Sequence, residues 1–186
     1  MPPRPPVPKR KRFFIGAEGE SEKSFARWLE RLRNHPNPIV HLDITVCDGG
    51  DSLAIANHAV AQYRKRTDAH GKFAAGLILL DSDRIKQDRS NNRDPEIALK
   101  GQRGIRLVYL TPNLEGLLLR LHAGHEQEFV AADKTLRALR KQWPEYKKPA
   151  SADVLDTRFD LSDLQRAARH DDELREVLKT LGLPLR

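Results

Sequence analysis

Residues 75–83 read Ala-Gly-Leu-Ile-Leu-Leu-Asp-Ser-Asp, an unbroken apolar run that ends in two aspartates. Central strands of parallel sheets are covered on both faces and show such continuous apolar runs. A second run, Phe-Phe-Ile-Gly-Ala at 13–17, ends in Glu18-Gly19. The two runs therefore predict strands over residues 12–17 and 74–80, each followed directly by carboxylates.

Two more strands and the helices between them complete the pattern. Residues 39–47 alternate apolar and polar side chains, which predicts a half-buried or edge strand, whereas 105–110 are more continuously apolar and predict a central one. Amphipathic helical stripes separate the strands, for example Phe25, Trp28, Leu29 and Leu32. The order β-α-β-α-β-α-β indicates an α/β fold, a mainly parallel four-stranded sheet flanked by helices.

The chain after Leu110 is almost wholly helical in pattern. Thr111-Pro112 resembles a helix N-cap followed by proline at the first helical position. Further helices are predicted at 126–141, 161–170 and 172–181, with a loop at 143–152. We therefore expect three parts: a flexible basic Pro-rich arm (1–12), an α/β core (13–125), and a helical C-terminal extension packed on that core (126–186).

Length and composition narrow the class of protein. The chain has 186 residues, 39% of them hydrophobic, which suits one globular domain. No apolar stretch approaches the roughly 20 residues needed to span a bilayer, and the N-terminus is basic and Pro-rich, so we expect a cytoplasmic protein without a membrane partner. Cys47 is the single cysteine, so a metal would rely on oxygen or imidazole ligands.

The formal net charge of +7 is concentrated at the N-terminus. Five basic residues within the first twelve supply most of it: Arg4, Lys9, Arg10, Lys11 and Arg12. Such an arm can hold phosphate backbones without reading sequence, or it can be a solvated leader. Both interpretations remain open.

Carboxylates at the strand ends form the candidate site. In an open α/β sheet, residues just beyond the carboxyl ends of neighbouring strands face one crevice. Asp81 and Asp83 are predicted to hold Mg²⁺, or Mn²⁺, because hard divalent cations prefer oxygen ligands. Glu18 would complete the metal shell or transfer a proton. Each motif alone is more often a turn or cap, but the two together favour the functional interpretation.

Three further residues near the ends of the third and fourth predicted strands could belong to the same site. Glu115 lies after the fourth predicted strand, where it would add a metal ligand, orient Arg84, or simply satisfy a helix dipole. Arg84, next to the aspartate pair, would hold the scissile phosphate. His122 is interpreted as a packed side chain more readily than as a catalyst.

The motifs quoted above resemble those of the Toprim fold. Residues 14–22, Phe-Ile-Gly-Ala-Glu-Gly-Glu-Ser-Glu, and 79–83, Leu-Leu-Asp-Ser-Asp, are similar to its two motifs. Within that superfamily, 111–122 looks like the Asn/Pro-x-Phe-Glu-x-Trp-Leu-Leu-x-His segment of RloB-like proteins, and Tyr146-Lys147-Lys148 looks like their Tyr-x-Lys motif.

This resemblance implies a Toprim-like domain with general acid/base chemistry at Glu18 and Mg²⁺ at Asp81 and Asp83. RloB-like proteins accompany prokaryotic restriction or phage-defence genes, often beside an ATPase. Lys147 is then expected to assist catalysis, and Lys147 and Lys148 to join Arg84 in binding substrate phosphate.

The leading hypothesis is a Mg²⁺-dependent nuclease that hydrolyses phosphodiester bonds in RNA or DNA, possible partners being an ATPase or further copies of the chain. The alternative is a catalytically degenerate nucleic-acid-binding or regulatory subunit of an ATPase-containing complex. A third hypothesis is a phosphotransferase or nucleotide-processing enzyme that uses the same carboxylates.

Overall fold

A computed structural model describes residues 10–35, 39–47 and 49–185 and contains one four-stranded parallel sheet. The strands are β1 (Lys11–Ala17), β2 (Val40–Val46), β3 (Ala75–Asp81) and β4 (Ile105–Leu110), in the order β2-β1-β3-β4. Ala17 of β1 pairs with Leu79 of β3, so these two strands end side by side. The predicted α/β class and parallel sheet are confirmed.

The helices are those of an α/β core followed by a helical extension. They are α1 (Glu20–Asn34), α2 (Ser52–His70), α3 (Ile85–Ser90), α4 (Leu114–Arg120), α5 (Ala132–Gln142), α6 (Ala152–Arg158), α7 (Leu161–Ala167) and α8 (Asp172–Leu181), with a 3₁₀ helix at Pro95–Leu99. None of the helices in the described part of the chain is long and apolar enough to cross a membrane.

Hydrophobic clusters cover both faces of the sheet. Phe13 and Ile15 of β1 point into a large cluster with α1, α4 and the C-terminal helices, whereas Phe14 points into a smaller cluster with α2. This alternation follows from the two-residue period of a strand. The extension is therefore continuous with the core of the domain through the larger cluster.

The position of β4 differs from the prediction. β2 is an edge strand, as its alternating pattern predicts, but β4 is the opposite edge strand rather than a central one. Its apolar run has another cause: Leu107 packs in the α2 cluster and Val108 in the larger one, so both faces of β4 are covered although one edge is free of a strand among the described residues.

Helix boundaries in the C-terminal half also differ. α4 begins two residues later than predicted because Asn113, not Thr111, is its N-cap: the Asn113 side-chain oxygen accepts a hydrogen bond from the Gly116 N–H at 3.0 Å. α5 begins at Ala132 rather than at 126, and α7 ends at Ala167 rather than at 170. The predicted loop at 143–152 is confirmed except that its last residue begins α6.

The proposed basic arm is shorter than predicted. Lys11 and Arg12 belong to β1, and the Arg12 guanidinium donates to Asp43 at 3.2 Å and to the His70 carbonyl at 2.7 Å. An ion pair to a neighbouring strand fixes a side chain that the sequence alone would leave in solvent. The rest of the predicted arm, residues 1–9, lies outside the described residues.

Candidate functional site

Glu18 and Asp81 lie together at the carboxyl end of the sheet. Glu18 follows β1 and Asp81 ends β3, and a Glu18 carboxylate oxygen accepts a hydrogen bond from the Asp81 backbone N–H at 2.9 Å. One Asp81 carboxylate oxygen accepts from the backbone N–H of Leu114, the first residue of α4, at 3.0 Å. Parallel topology thus brings together carboxylates that are 63 residues apart in sequence.

Asp83 is held beside this pair by the turn that follows β3. The backbone N–H groups of Ser82 and Asp83 both donate to the Pro112 carbonyl, at 2.8 and 3.0 Å. Asp83 and Arg84 line a small cleft together with Glu18 and Asp81. The structure therefore places the three predicted metal ligands, and Arg84, at one edge of the sheet.

Glu22 is a member of this acidic group that the sequence analysis did not select. It is 5% exposed, and its carboxylate accepts a hydrogen bond from the Gly19 N–H at 2.8 Å. A glutamate at the third helical position is a common helix-capping residue, so its sequence signal indicates only a cap. Here the cap also borders a second, larger cleft, which shares Glu18 and Asp81 with the small one.

The extension supplies the opposite wall of this cleft. The cleft has a volume of about 340 Å³ and is lined by Asp81, Lys148, Pro149 and the segment from Glu18 to Glu22. The Lys148 ammonium group lies 3.0 Å from a carboxylate oxygen of Glu115. Helix α4 and the loop before α6 therefore meet at the site.

Glu115 is oriented by this loop. It is 2% exposed, and it accepts a hydrogen bond from the Tyr146 hydroxyl at 3.1 Å in addition to the Lys148 contact. Among the described residues, no ion pair joins Glu115 to Arg84. The structure thus gives Glu115 a role that the sequence analysis did not consider, as a partner of Tyr146 and Lys148, while it also lies in the first turn of α4.

Lys147 and Lys148 are placed differently. Both lysines are exposed, but Lys148, like Tyr146, contacts Glu115 and lines the cleft, whereas Lys147 is not among the described residues that line it. The sequence could not distinguish the two lysines because the conformation of a loop decides which neighbour faces inward. A role for Lys147 in catalysis or phosphate binding stays a prediction.

His122 lies away from the cleft, as the structural interpretation predicted. Its ring packs edge-on against Phe159 at 4.9 Å between centroids, and its Nδ1 atom lies 3.1 Å from the Leu118 carbonyl. Burial lowers the pKa of His122. We assign it to a half-buried packing contact between the end of α4 and the extension.

The crowding of carboxylates changes their protonation. Burial raises the pKa of Asp81 to about 8, and the charges of Glu22, Glu18, Glu115 and Asp83 add to the effect. Burial also raises the pKa of Glu18 and of Glu22, although a hydrogen bond from the Asp81 N–H opposes this at Glu18. The negative charge at this edge is therefore incompletely compensated.

The basic and phenolic groups respond in the complementary direction. Burial alone would lower the pKa of Lys148, but its hydrogen bond and ion pair with Glu115 raise it overall. Burial and the Glu115 charge raise the pKa of Tyr146. Lys148 is thus a cation, and Tyr146 a hydrogen-bond donor, at neutral pH.

Asp88 is a second acidic residue that the sequence analysis did not select. It is 3% exposed and accepts hydrogen bonds from the hydroxyl and the backbone N–H of Ser52, the latter at 3.0 Å. Burial would raise its pKa, but the Ser52 bonds and the charges of Arg84 and Arg93 lower it overall. Asp88 joins α3 to the beginning of α2 and so holds the segment that carries Arg84.

The carboxylates are compatible with Mg²⁺, although they are not arranged as a closed cage. Within the described ranges, no group of three or more His, Cys, Asp or Glu side chains is positioned to hold a metal ion. Mg²⁺ keeps several waters and needs one or two protein carboxylates together with substrate oxygens. Asp81, with Glu18 or Asp83, meets that requirement.

Comparisons of the chain with protein-family models, curated proteins and solved structures find no match. The chemistry of the site is therefore inferred from its own side chains.

Proposed function

We propose that this protein is a Toprim-like, RloB-like phosphodiester hydrolase that requires Mg²⁺ and acts on RNA or DNA. The observation that carries the proposal is the convergence of Glu18, Asp81 and Asp83 at the carboxyl edge of β1 and β3. Glu22 and Glu115 extend the same acidic group.

The protonation of the group supports a divalent cation as its partner. An Asp81 pKa of about 8 means that the side chain is largely protonated at neutral pH without a cation. A bound Mg²⁺ would favour the ionised carboxylates, and it supplies polarisation of a phosphoryl oxygen and of an attacking water. Asp81 and Asp83 would hold the ion.

Glu18 is suited to proton transfer. Its pKa is raised by burial, which moves it toward the range in which a carboxyl group exchanges protons near neutral pH. Its second carboxylate oxygen is not needed for the hydrogen bond to the Asp81 N–H. We assign to Glu18 either the activation of water or a place in the metal shell.

Arg84 and Lys148 would bind the substrate phosphate. Each lies beside the acidic group, Arg84 on the β3–α3 side and Lys148 on the side of the extension. Cations placed around a metal site stabilise the charge that grows on a phosphoryl group. Glu115 and Tyr146 would position Lys148 rather than contact the reacting atoms.

The decisive test is cleavage of labelled single-stranded RNA, single-stranded DNA and duplex DNA by purified protein in Mg²⁺, Mn²⁺ or EDTA. The double variant Asp81→Ala/Asp83→Ala should lose metal-dependent cleavage. Asp133→Ala/Asp172→Ala, which removes two exposed first-turn aspartates of α5 and α8, should retain it. Unchanged turnover in the first variant would refute the assignment.

A noncatalytic subunit is the second candidate. It is favoured by the Lys148 charge that already compensates Glu115, and by the absence among the described residues of three side chains poised on one ion. Calorimetry with Mg²⁺ and Mn²⁺, with and without nucleic acid, separates the two: no metal binding supports the subunit. Turnover of nucleotides but not of polymers would instead identify the third candidate, a nucleotide-processing enzyme.

The cellular setting belongs to the same proposal. A cytoplasmic role in phage defence with an ATPase partner rests on the resemblance of the motifs alone. Co-purification with the product of an adjacent ATPase gene would test it.

A further inference from the structure

The amino ends of the strands, opposite the acidic site, carry two clefts. The first has a volume of about 490 Å³ and lies between the starts of β1 and β2 and the ends of α1 and α8. The second has a volume of about 440 Å³ and lies between the starts of β1 and β3. Lys11, the first residue of β1, lines both.

The two clefts are lined by cations. Their basic lining residues, taken together, are Arg10, Lys11, Arg12, Arg33, Lys72 and Lys179, and His70 lies among them. No aspartate or glutamate is among the described residues that line either cleft. We call this surface the basic end.

Most of this charge is not compensated internally. Arg12 is paired with Asp43, and Lys179 lies 3.6 Å from Glu176. In the described parts of the chain, the other four cations of the basic end form no ion pair; they are Arg10, Lys11, Arg33 and Lys72. A folded protein gains nothing in stability from like charges gathered in this way.

The sheet separates the basic end from the acidic site by the length of one strand. β1 begins at Lys11 and ends at Ala17, directly before Glu18. At about 3.3 Å per residue the separation is roughly 20 Å. The acidic site itself has two neighbouring cations, Arg84 and Lys148, so further contacts to a long phosphate polymer would have to come from cations elsewhere on the surface.

We propose that the basic end binds the sugar-phosphate backbone of the nucleic acid on which the protein acts. The choice of nucleic acid among polyanions rests on the proposed function. Cations supply sequence-independent contacts to phosphates, and the floors of the clefts, which include Phe13, Val40 and Phe73, are almost fully buried, so the charged side chains form the accessible surface.

The shape of the basic end favours a nucleic acid over an anionic membrane. Membrane-binding surfaces present a broad apolar face that enters the lipid. The basic end is instead concave, and among the described residues that line it the one large exposed hydrophobic side chain is Ile39, at 37% exposure. A phosphate backbone fits into a groove of this kind without burying a large apolar area.

The experiment measures binding without catalysis. Fluorescence anisotropy in EDTA follows labelled RNA and DNA strands of about 20 nucleotides, and the corresponding duplex, over a salt series. The triple variant Arg10→Gln/Lys11→Gln/Lys72→Gln removes three exposed cations of the basic end. The matched control Lys134→Gln/Arg137→Gln/Lys141→Gln removes three exposed cations of α5 and the same net charge.

We expect the triple variant to bind roughly 10- to 100-fold more weakly at about 0.1 M salt. For the duplex, the slope of log affinity against log salt should fall by about 2 to 3, because each lost phosphate contact removes about 0.9. The α5 control should change both quantities by much less. Lys72→Glu alone, in the turn before β3, should cause a smaller loss of affinity for nucleic acid. This variant tests the proposal if the triple variant does not fold.

Three results would overturn the inference. One is equal affinity of the wild type and the folded triple variant, or an unchanged affinity of Lys72→Glu if the triple variant does not fold. Another is an equal loss in the α5 control, which would show an effect of net charge alone. The third is a triple variant that loses binding to phosphatidylserine vesicles or to polyglutamate but keeps its affinity for nucleic acid.

Two further variants distinguish binding at the basic end from binding by residues 2–9 and from effects of the acidic site. Deletion of residues 2–9 should leave the difference between the triple variant and the control, because the basic end is built from Arg10 onward. Asp81→Asn/Asp83→Asn should bind in EDTA at least as tightly as the wild type. Binding at the basic end without any cleavage by the wild type would count against the hydrolase and not against this surface.

Discussion

Asp81→Asn is expected to stabilise the metal-free protein while it removes the proposed metal ligand. Asparagine keeps an oxygen that can accept the hydrogen bond from the Leu114 N–H, and it cannot ionise. The wild-type carboxylate is partly buried near Glu18, Glu22, Glu115 and Asp83, so its ionisation opposes folding. The substitution removes that penalty.

The magnitude follows from the pKa of Asp81. A rise from 3.8 to about 8 corresponds, at about 1.4 kcal/mol per pKa unit, to an upper limit of about 6 kcal/mol. Below about pH 4 the carboxyl group is protonated in both states and there is no penalty. Between pH 4 and 8 the unfolded chain loses its proton first, so stability falls as pH rises, and above 8 the penalty is complete.

Partial exposure and coupling among the carboxylates reduce this limit. We expect Asp81→Asn to be more stable than the wild type by about 2–4 kcal/mol at pH 8.5 in EDTA, and the two proteins to be nearly equal at pH 4.5. Urea unfolding at several pH values measures the difference. Asp133→Asn, an exposed aspartate of α5, is the control and should track the wild type.

Mg²⁺ provides the second arm of this experiment. Free Mg²⁺ at fifty times its dissociation constant should stabilise the wild type by about 2 kcal/mol, and Asp81→Asn by much less. The reasoning is wrong if Asp81→Asn is less stable than the wild type at pH 8.5 in EDTA, or if its stability keeps the same dependence on pH.

Three other substitutions test the packing around the site. Gly16→Ala should lower the free energy of unfolding in urea by about 1–3 kcal/mol, because the added Cβ atom would lie 2.8 Å from the Cβ atom of an α2 alanine. An unchanged urea midpoint would contradict this close approach. Arg120→Met should lower the free energy of unfolding by about 3–5 kcal/mol because it removes the ion-pair partner of the Asp171 carboxylate. Adding Asp171→Asn should recover part of this lost stability. Tyr146→Phe should cost about 1–2 kcal/mol through the lost hydrogen bond to Glu115, and a thermal melt that matches the wild type would show that this bond contributes nothing.

The strand pattern predicted the site because two local signals combine with a topological rule. Continuous apolar runs identify β1 and β3, and each run ends in a carboxylate. Parallel neighbours finish at one edge, so Glu18 and Asp81 meet because β1 and β3 are neighbours in the sheet. Period and order predicted that the carboxylates lie at the same end of the sheet, and the strand order in the structure brought them into contact.

Other members of the site gave no usable local signal. Glu22 has the sequence context of an ordinary helix cap, and its second contact, with the cleft, depends on where α1 packs. Lys148 faces Glu115 while Lys147 does not, because the loop before α6 has one particular conformation. Loops lack the periodicity that reveals the inward face of a helix or strand.

The sequence by itself determined the α/β class, the parallel direction of the strands and the placement of Glu18, Asp81 and Asp83 at one end of the sheet, since hydrophobic period and connection rules act locally along the chain. Only the tertiary structure decided that the extension closes the cleft through Lys148, that β4 is an edge strand, and that Lys11, Arg33, Lys72 and Lys179 form one basic end. These residues are far apart in sequence, and side-chain packing between elements, which no local pattern encodes, brings them together.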